Sequence, residues 1–186
     1  MSALNGKAIL ILATNGFEQS ELELPQTRLK EAGADVHVAS LEPGEIKGWD
    51  SKNWGRAVNV DKTLDEVDVA SYDALVLPGG QMNPDTLRGD ENALALIKAF
   101  FDQGKVVAAV CHAPWLLIDT GIAKARKVTS YKTIKQDLIN AGAQWEDAAV
   151  VTDNGVITSR MPDDLPAFIA KIIEELQEGK HSRRAA

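Results

Sequence analysis

Short apolar runs alternate with amphipathic stretches along the chain. Val106 to Val110 is an unbroken run of small or β-branched apolar residues, the pattern of a parallel strand buried on both faces. Lys7 to Ala13 reads as an earlier strand of that kind, with Thr14 to Gly16 as its turn, and Tyr72 to Leu77 as another, broken by Pro78-Gly79-Gly80. Asp35 to Ser40 alternates apolar and polar positions, and short strands are predicted near Ala149 to Thr152 and Val156 to Ser159. Helical spacing fills the intervals. A helix starting near Phe17 places Leu22, Leu29 and Ala32 on one face, with Pro25 expected to kink it and Gly33 to end it. Leu94, Ile97 and Phe101 predict a helix stopped by Gly104, Pro114 opens one that runs to Gly121, and a polar helix is predicted over about Lys132 to Ala141. The last helix carries Leu165, Phe168, Ile169, Ile172, Ile173 and Leu176, with Asp163 and Asp164 as its capping residues. Glu42 to Asp61, rich in Gly and Trp, reads as an excursion or hairpin.

Strands alternating with helices predict a three-layer α/β sandwich around a mostly parallel sheet. At 186 residues one domain over 1–179 is expected, with 180–186 as a tail. In such sheets ligands bind beyond the carboxyl ends of the strands. Three loops qualify: Thr14 to Ser20, Pro78 to Arg88 and Cys111 to Pro114.

A net charge of −7 argues against nucleic acid as a partner, since phosphate neutralisation needs clustered Lys and Arg. No apolar stretch approaches the roughly 20 residues that span a bilayer, so no membrane partner is expected. The start, MSALNGKAILILA, lacks the pattern of a secretory signal, and one cysteine permits no intrachain disulfide; a cytoplasmic location is expected. No dinucleotide fingerprint, Walker sequence or zinc-ligand spacing occurs, so neither cofactor nor metal is expected.

The chemistry then converges on Cys111, at the junction of the Val106 to Val110 strand with the helix opened by Pro114. A nucleophile elbow exposes its reactive side chain at such a turn, and the helix behind it favours a thiolate, with a pKa expected between roughly 3.5 and 7.5. A small buried hydrophobe is the alternative reading of the same position. His112 partners Cys111 only if the elbow bends the two side chains together; otherwise it is a solvent-facing residue at the helix start. His37, within a strand, and His181, in the tail, carry no expected chemistry.

The segments GFEQSELELP, DALVLPGG followed by NPDTLR, AVCHAPWLL and NAGAQWEDAAVVTDNGVITSRMPDDLPAF resemble, in this order, the PfpI-type intracellular proteases. That family lies within the superfamily of the Parkinson-disease-associated deglycase, and the resemblance spans Lys7 to Leu176. It implies a flavodoxin-like fold, Cys111 as reactive thiol, His112 as its partner and Glu18 as the acid beside the sulfur. It further implies the backbone N–H groups of Gly80 and His112 as oxyanion donors, and Asp85 reaching across a subunit interface to the histidine, hence a homodimer or higher homo-oligomer. Ala113 replaces the family's usual glycine, and Trp115 is bulkier than the polar residue frequent there; both bear on pocket width. Family activities include peptidase, glyoxalase or deglycase, redox-responsive stress protein and holdase chaperone. The reading favoured is addition of Cys111 to a small carbonyl substrate such as methylglyoxal. The alternatives are a cysteine peptidase acting on peptide, using Asp85 of a neighbouring subunit, and a non-enzymatic redox sensor.

Overall fold

The computed structural model describes residues 2–179; the expected tail and His181 lie outside the described residues. Its strands are β1 (Ala8–Leu12), β2 (Asp35–Ser40), β3 (Glu45–Asp50), β4 (Asn53–Asn59), β5 (Lys62–Thr63), β6 (Ala74–Leu77), β7 (Val106–Val110), β8 (Lys127–Val128), β9 (Gln144–Trp145), β10 (Val150–Asp153) and β11 (Val156–Ser159). Its α-helices are α1 (Gln19–Glu31), α2 (Met82–Arg88), α3 (Glu91–Asp102), α4 (Pro114–Asp119), α5 (Lys135–Asn140) and α6 (Leu165–Glu178). Seven strands form one sheet in the order β10-β11-β7-β6-β1-β2-β5. All neighbours are parallel except β10 and β11. The flavodoxin-like sandwich with a mostly parallel sheet is therefore present, and β7, which carries the cysteine, lies near its middle.

The continuous apolar runs have a simple cause. Successive side chains of a strand point to opposite faces, and helices cover both. Ile9, Ile11, Val76, Ala108 and Val110 pack with Leu22 and Leu29 of α1 and Phe168 and Ile172 of α6. Leu10, Leu12, Leu75, Leu77, Val107 and Ala109 pack with Ile97 and Phe100 of α3, Leu117 of α4 and Leu138 of α5.

Several boundaries differ from the periodicity. Phe17 is buried but lies before α1, which starts at Gln19, and Pro25 is accommodated inside that helix on its buried face. On α3 the fully or nearly buried positions are Ala93, Leu96, Ile97, Phe100 and Phe101, while Leu94 is only partly buried. Asp164 precedes α6 without a side-chain cap; its carboxylate is instead held by Arg160, at 2.9 Å from Nε. The polar helix begins as a 3-10 turn at Lys132–Ile134 before α5. Helix α2 falls in what read as the loop after Gly80, because Pro84 and a short polar sequence hide a seven-residue helix.

The excursion is a hairpin of β3 and β4. It clamps the start of α1: Gly16 N–H donates to Lys47 O at 2.8 Å, Trp49 N–H to Phe17 O at 2.7 Å, and Arg56 N–H to Gln19 Oε1 at 2.6 Å. Trp49 and Trp54 face each other edge to face, with centroids 5.6 Å apart, and Trp54 is 50% exposed. His37 Nδ1 is 3.0 Å from Tyr72 Oη on the opposite side of the sheet from α1.

Candidate active site

Cys111 follows the last residue of β7 and has φ 63, in the left-handed region that a residue with a Cβ enters only at a cost of order 1–3 kcal/mol. Neighbouring backbone holds it there. Cys111 N–H donates to Ser159 O at 3.0 Å, Tyr131 N–H donates to Cys111 O at 2.8 Å, and Ala113 N–H returns to Val110 O at 3.0 Å. Pro114 then occupies the first turn of α4, where its missing N–H leaves no gap. The sharp turn brings adjacent side chains together: Cys111 Sγ lies 3.1 Å from His112 Nδ1.

The thiol is far less open than an elbow implies. Cys111 is 7% exposed and packs at the edge of the α1/α6 core. Burial, followed by the charge of Glu21, pushes its pKa up, against the backbone N–H groups of Gly80 and His112, which pull it down. The expected lowering is thus corrected. The backbone N–H groups of Gly80 and His112 reach the sulfur, but desolvation outweighs them. Burial also pushes His112 down, favouring a neutral imidazole.

The acid beside the sulfur is Glu21, not Glu18. Glu21 lies in the first turn of α1 and is completely buried; its Oε2 accepts from Gly79 N–H at 2.8 Å, while Oε1 is enclosed without a hydrogen-bond partner. Burial raises its pKa from 4.5 to about 8, against the Gly79 N–H, and the carboxyl and the thiol shift one another's ionisation. At neutral pH the carboxyl therefore holds a proton and is a donor next to sulfur. Glu18 is the extended residue before α1, so its side chain leaves the helix and accepts from Ser20 Oγ at 3.3 Å. It borders an open surface depression with Asp50 and Arg56, and burial raises its pKa as well.

Two glycines make the approach possible. A Cβ on Gly79 would stand 2.5 Å from Glu21 Oε2 and 2.6 Å from the Cys111 Cβ. Gly80 has φ 78, and a Cβ there would meet Gly16 O at 2.6 Å and Glu18 N at 2.8 Å.

The imidazole is clamped by rings. Tyr131 stacks on it, with centroids 5.0 Å apart and planes at 24°, and Trp115 meets it at 5.2 Å and 62°. Trp115 is held in turn by Asp137, which accepts from its Nε1 at 2.9 Å, and by the Arg88 guanidinium 5.2 Å over its ring. It is neither core filler nor a free gate. Thr133 Oγ1 lies 3.4 Å from His112 Nε2. Ala113 has ordinary helical φ −58, and its methyl packs in the core on the other side of the sheet from Cys111. Asp85 sits in the first turn of α2, where its charge acts on Arg88, and Arg88 pairs with Asp119 at 2.7 Å. Among the described residues of this chain the side-chain hydrogen bonds of His112 go to Cys111 and Thr133, not to Asp85.

Glu21 was detectable as a carboxylate on the apolar stripe of α1, shared with Leu22, Pro25 and Leu29. Tyr131 and Thr133 left no comparable signal, because only the fold brings a polar segment 20 residues away against His112.

A cysteine on a tight turn between a central parallel strand and a helix, with a histidine on one side and a buried protonated acid on the other, defines a thiol-centred α/β protein of flavodoxin-like fold. The model described as the DJ-1/PfpI family matches residues 7–175, and the chain belongs to that family. It is 47% identical over 169 residues to a protein named deglycase TK1284 from Thermococcus kodakarensis, covering 91% of this chain and 99% of that one. It is 44% identical to a Bacillus subtilis protein named putative cysteine protease YraA, covering 87% and 94%. Among solved structures it resembles Drosophila melanogaster DJ-1beta with a TM-score of 0.83 at 32% identity, covering 92% of this chain and 90% of that chain.

Proposed function

We propose that this chain is a cysteine-dependent stress-response enzyme that acts on small reactive carbonyls by glyoxalase or deglycase chemistry. The observation that carries this reading is the enclosed thiol flanked by a neutral base and a neutral acid. Sγ stands 3.1 Å from Nδ1 of His112, and the Glu21 carboxyl holds its proton up to about pH 8. An aldehyde carbon forms a bond to sulfur while the thiol proton passes to Nδ1 and the carbonyl oxygen takes the Glu21 proton, giving a hemithioacetal. With methylglyoxal, the Glu21 carboxylate then moves the C–H proton to the neighbouring carbon and the two oxygens exchange a proton. The product is a lactyl thioester, which water hydrolyses to lactate and free thiol. N–H groups of Gly80 and His112, already directed at the sulfur, are suited to the developing oxyanion. The degree of enclosure favours a small aldehyde over a polypeptide. Consumption of methylglyoxal by the purified chain tests the reading: the wild type is expected to convert it and Cys111→Ser to leave it untouched, while equal behaviour of the two defeats it.

The name of the Bacillus relative supports a second reading, a peptidase in which Asp85 of a second copy orients His112 in a homodimer or larger homo-oligomer. Cleavage of a fluorogenic peptide that vanishes in Cys111→Ser and in Asp85→Asn favours it; cleavage that survives both excludes it. No helix among the described residues is long and apolar enough to cross a membrane. A cytoplasmic setting is part of the proposal, since reducing surroundings preserve a thiol.

A further inference from the structure

His112 serves as a base toward Cys111 in only one of its two neutral tautomers. Nδ1, 3.1 Å from Sγ, must be bare to receive the thiol proton, so the single ring N–H must sit on Nε2. An Nε2–H needs an acceptor. The side-chain oxygen within reach is Thr133 Oγ1, 3.4 Å away.

The placement of that hydroxyl is coupled to the elbow. Thr133 lies in the 3-10 turn Lys132–Ile134, anchored at one end by the buried Ile134 and at the other by Tyr131, whose N–H donates to Cys111 O at 2.8 Å. The Tyr131 ring and Trp115 restrict the imidazole plane, but an aromatic face does not choose which nitrogen carries the proton. The charged groups nearby, Arg88 and Asp137, are engaged with Trp115, and Asp119 with Arg88. Within this chain, selection of the tautomer is left to the hydroxyl.

We propose that Thr133 is a positioning residue: its hydroxyl accepts the Nε2–H hydrogen bond of His112 and so keeps Nδ1 as the proton acceptor for Cys111. The inference deepens the carbonyl-addition reading and rests on it for its consequence, though not for its test.

The test compares the full-length wild type with Thr133→Val, which keeps the shape and removes the hydroxyl, and Thr133→Ser, which keeps the hydroxyl. The ring-nitrogen chemical shifts of His112, assigned by their loss in His112→Asn, report the tautomer. Iodoacetamide alkylation of Cys111 reports base assistance: the S–C bond forms, iodide leaves and the thiol proton goes to Nδ1. Thr133→Val is expected to lose the Nε2–H preference and to alkylate about three- to tenfold more slowly near neutral pH, the range one neutral hydrogen bond carries. Thr133→Ser should restore both measures. A wild type already in the Nδ1–H form, or a Thr133→Val protein identical to wild type in shifts and rate, overturns the proposal. Alkylation needs no carbonyl substrate, so expected alkylation with no methylglyoxal turnover would sink the carbonyl reading alone.

Discussion

Glu18 and Glu21 stand three residues apart at the start of one helix, yet they occupy different environments. Glu21, on the first turn of α1, is sealed between Gly79 and the thiol, and burial moves its pKa to about 8. Glu18, one residue before the helix, turns toward the rim beneath the β3–β4 hairpin, among Ser20, Asp50 and Arg56. A helix starting near Phe17 would have placed Glu18 on the stripe of Leu22, Pro25 and Leu29. Starting at Gln19 instead removes it from that stripe. The position of one helix terminus therefore separates the carboxyl that is sealed beside the thiol from the one that stays half-buried at the rim.

The contrast is sharpest in turnover. Glu21→Gln keeps the shape but cannot release a proton, and is expected to slow methylglyoxal conversion by about 10²-fold or more, the usual scale of general acid–base assistance. Glu18→Gln is expected to stay within about threefold of wild type. Similar losses in both variants would erase the distinction.

Stability offers the next test. A Cβ at Gly79 would intrude on both Glu21 and Cys111, so Gly79→Ala is expected to cost about 1–3 kcal/mol by denaturant unfolding, with overpacking as the cause. Gly89→Ala, at the end of α2 with φ −83 and its nearest neighbour, Thr86 O, at 3.5 Å from the added carbon, meets neither strain nor crowding and should lose less. Equal losses at the two sites would show that the close approach carries no weight.

The pH dependence follows from the raised pKa of Glu21, whose shift from 4.5 to about 8 means that the native state holds a proton the unfolded chain releases. Its contribution to stability is fully present below about pH 4.5 and is lost as the pH rises through about 8. Relative to wild type, Glu21→Gln should therefore gain more than about 2 °C in Tm across that window. Parallel Tm curves for the two proteins would place the ionisation elsewhere. The smallest effect is expected at the rim: Trp54→Ala removes half-exposed surface and should leave Cys111 alkylation unchanged, while a changed rate would tie the hairpin to the thiol.

Much was legible without coordinates. The run Val106 to Val110 is β7 residue for residue, Asp35 to Ser40 is β2, and the order of strands and helices implied the parallel sheet. These signals are local, since burial on two faces imposes its own composition on a strand. The Cys111–His112 junction was legible for the same reason. Burial of the thiol stood only as one of two readings of that junction, because strand-end position says nothing about the side chains that close over it from α1 and the Gly79-Gly80 turn.

The sequence by itself determined the sandwich, the elbow and the sulfur at its apex, because periodicity and turn chemistry act over a few residues. Tertiary structure alone decided that Glu21 rather than Glu18 meets that sulfur, that desolvation outweighs the N–H donors around it, and that Thr133 arrives at the far nitrogen of His112. Each of these depends on where segments distant in sequence come to rest, and on how much water they leave between them.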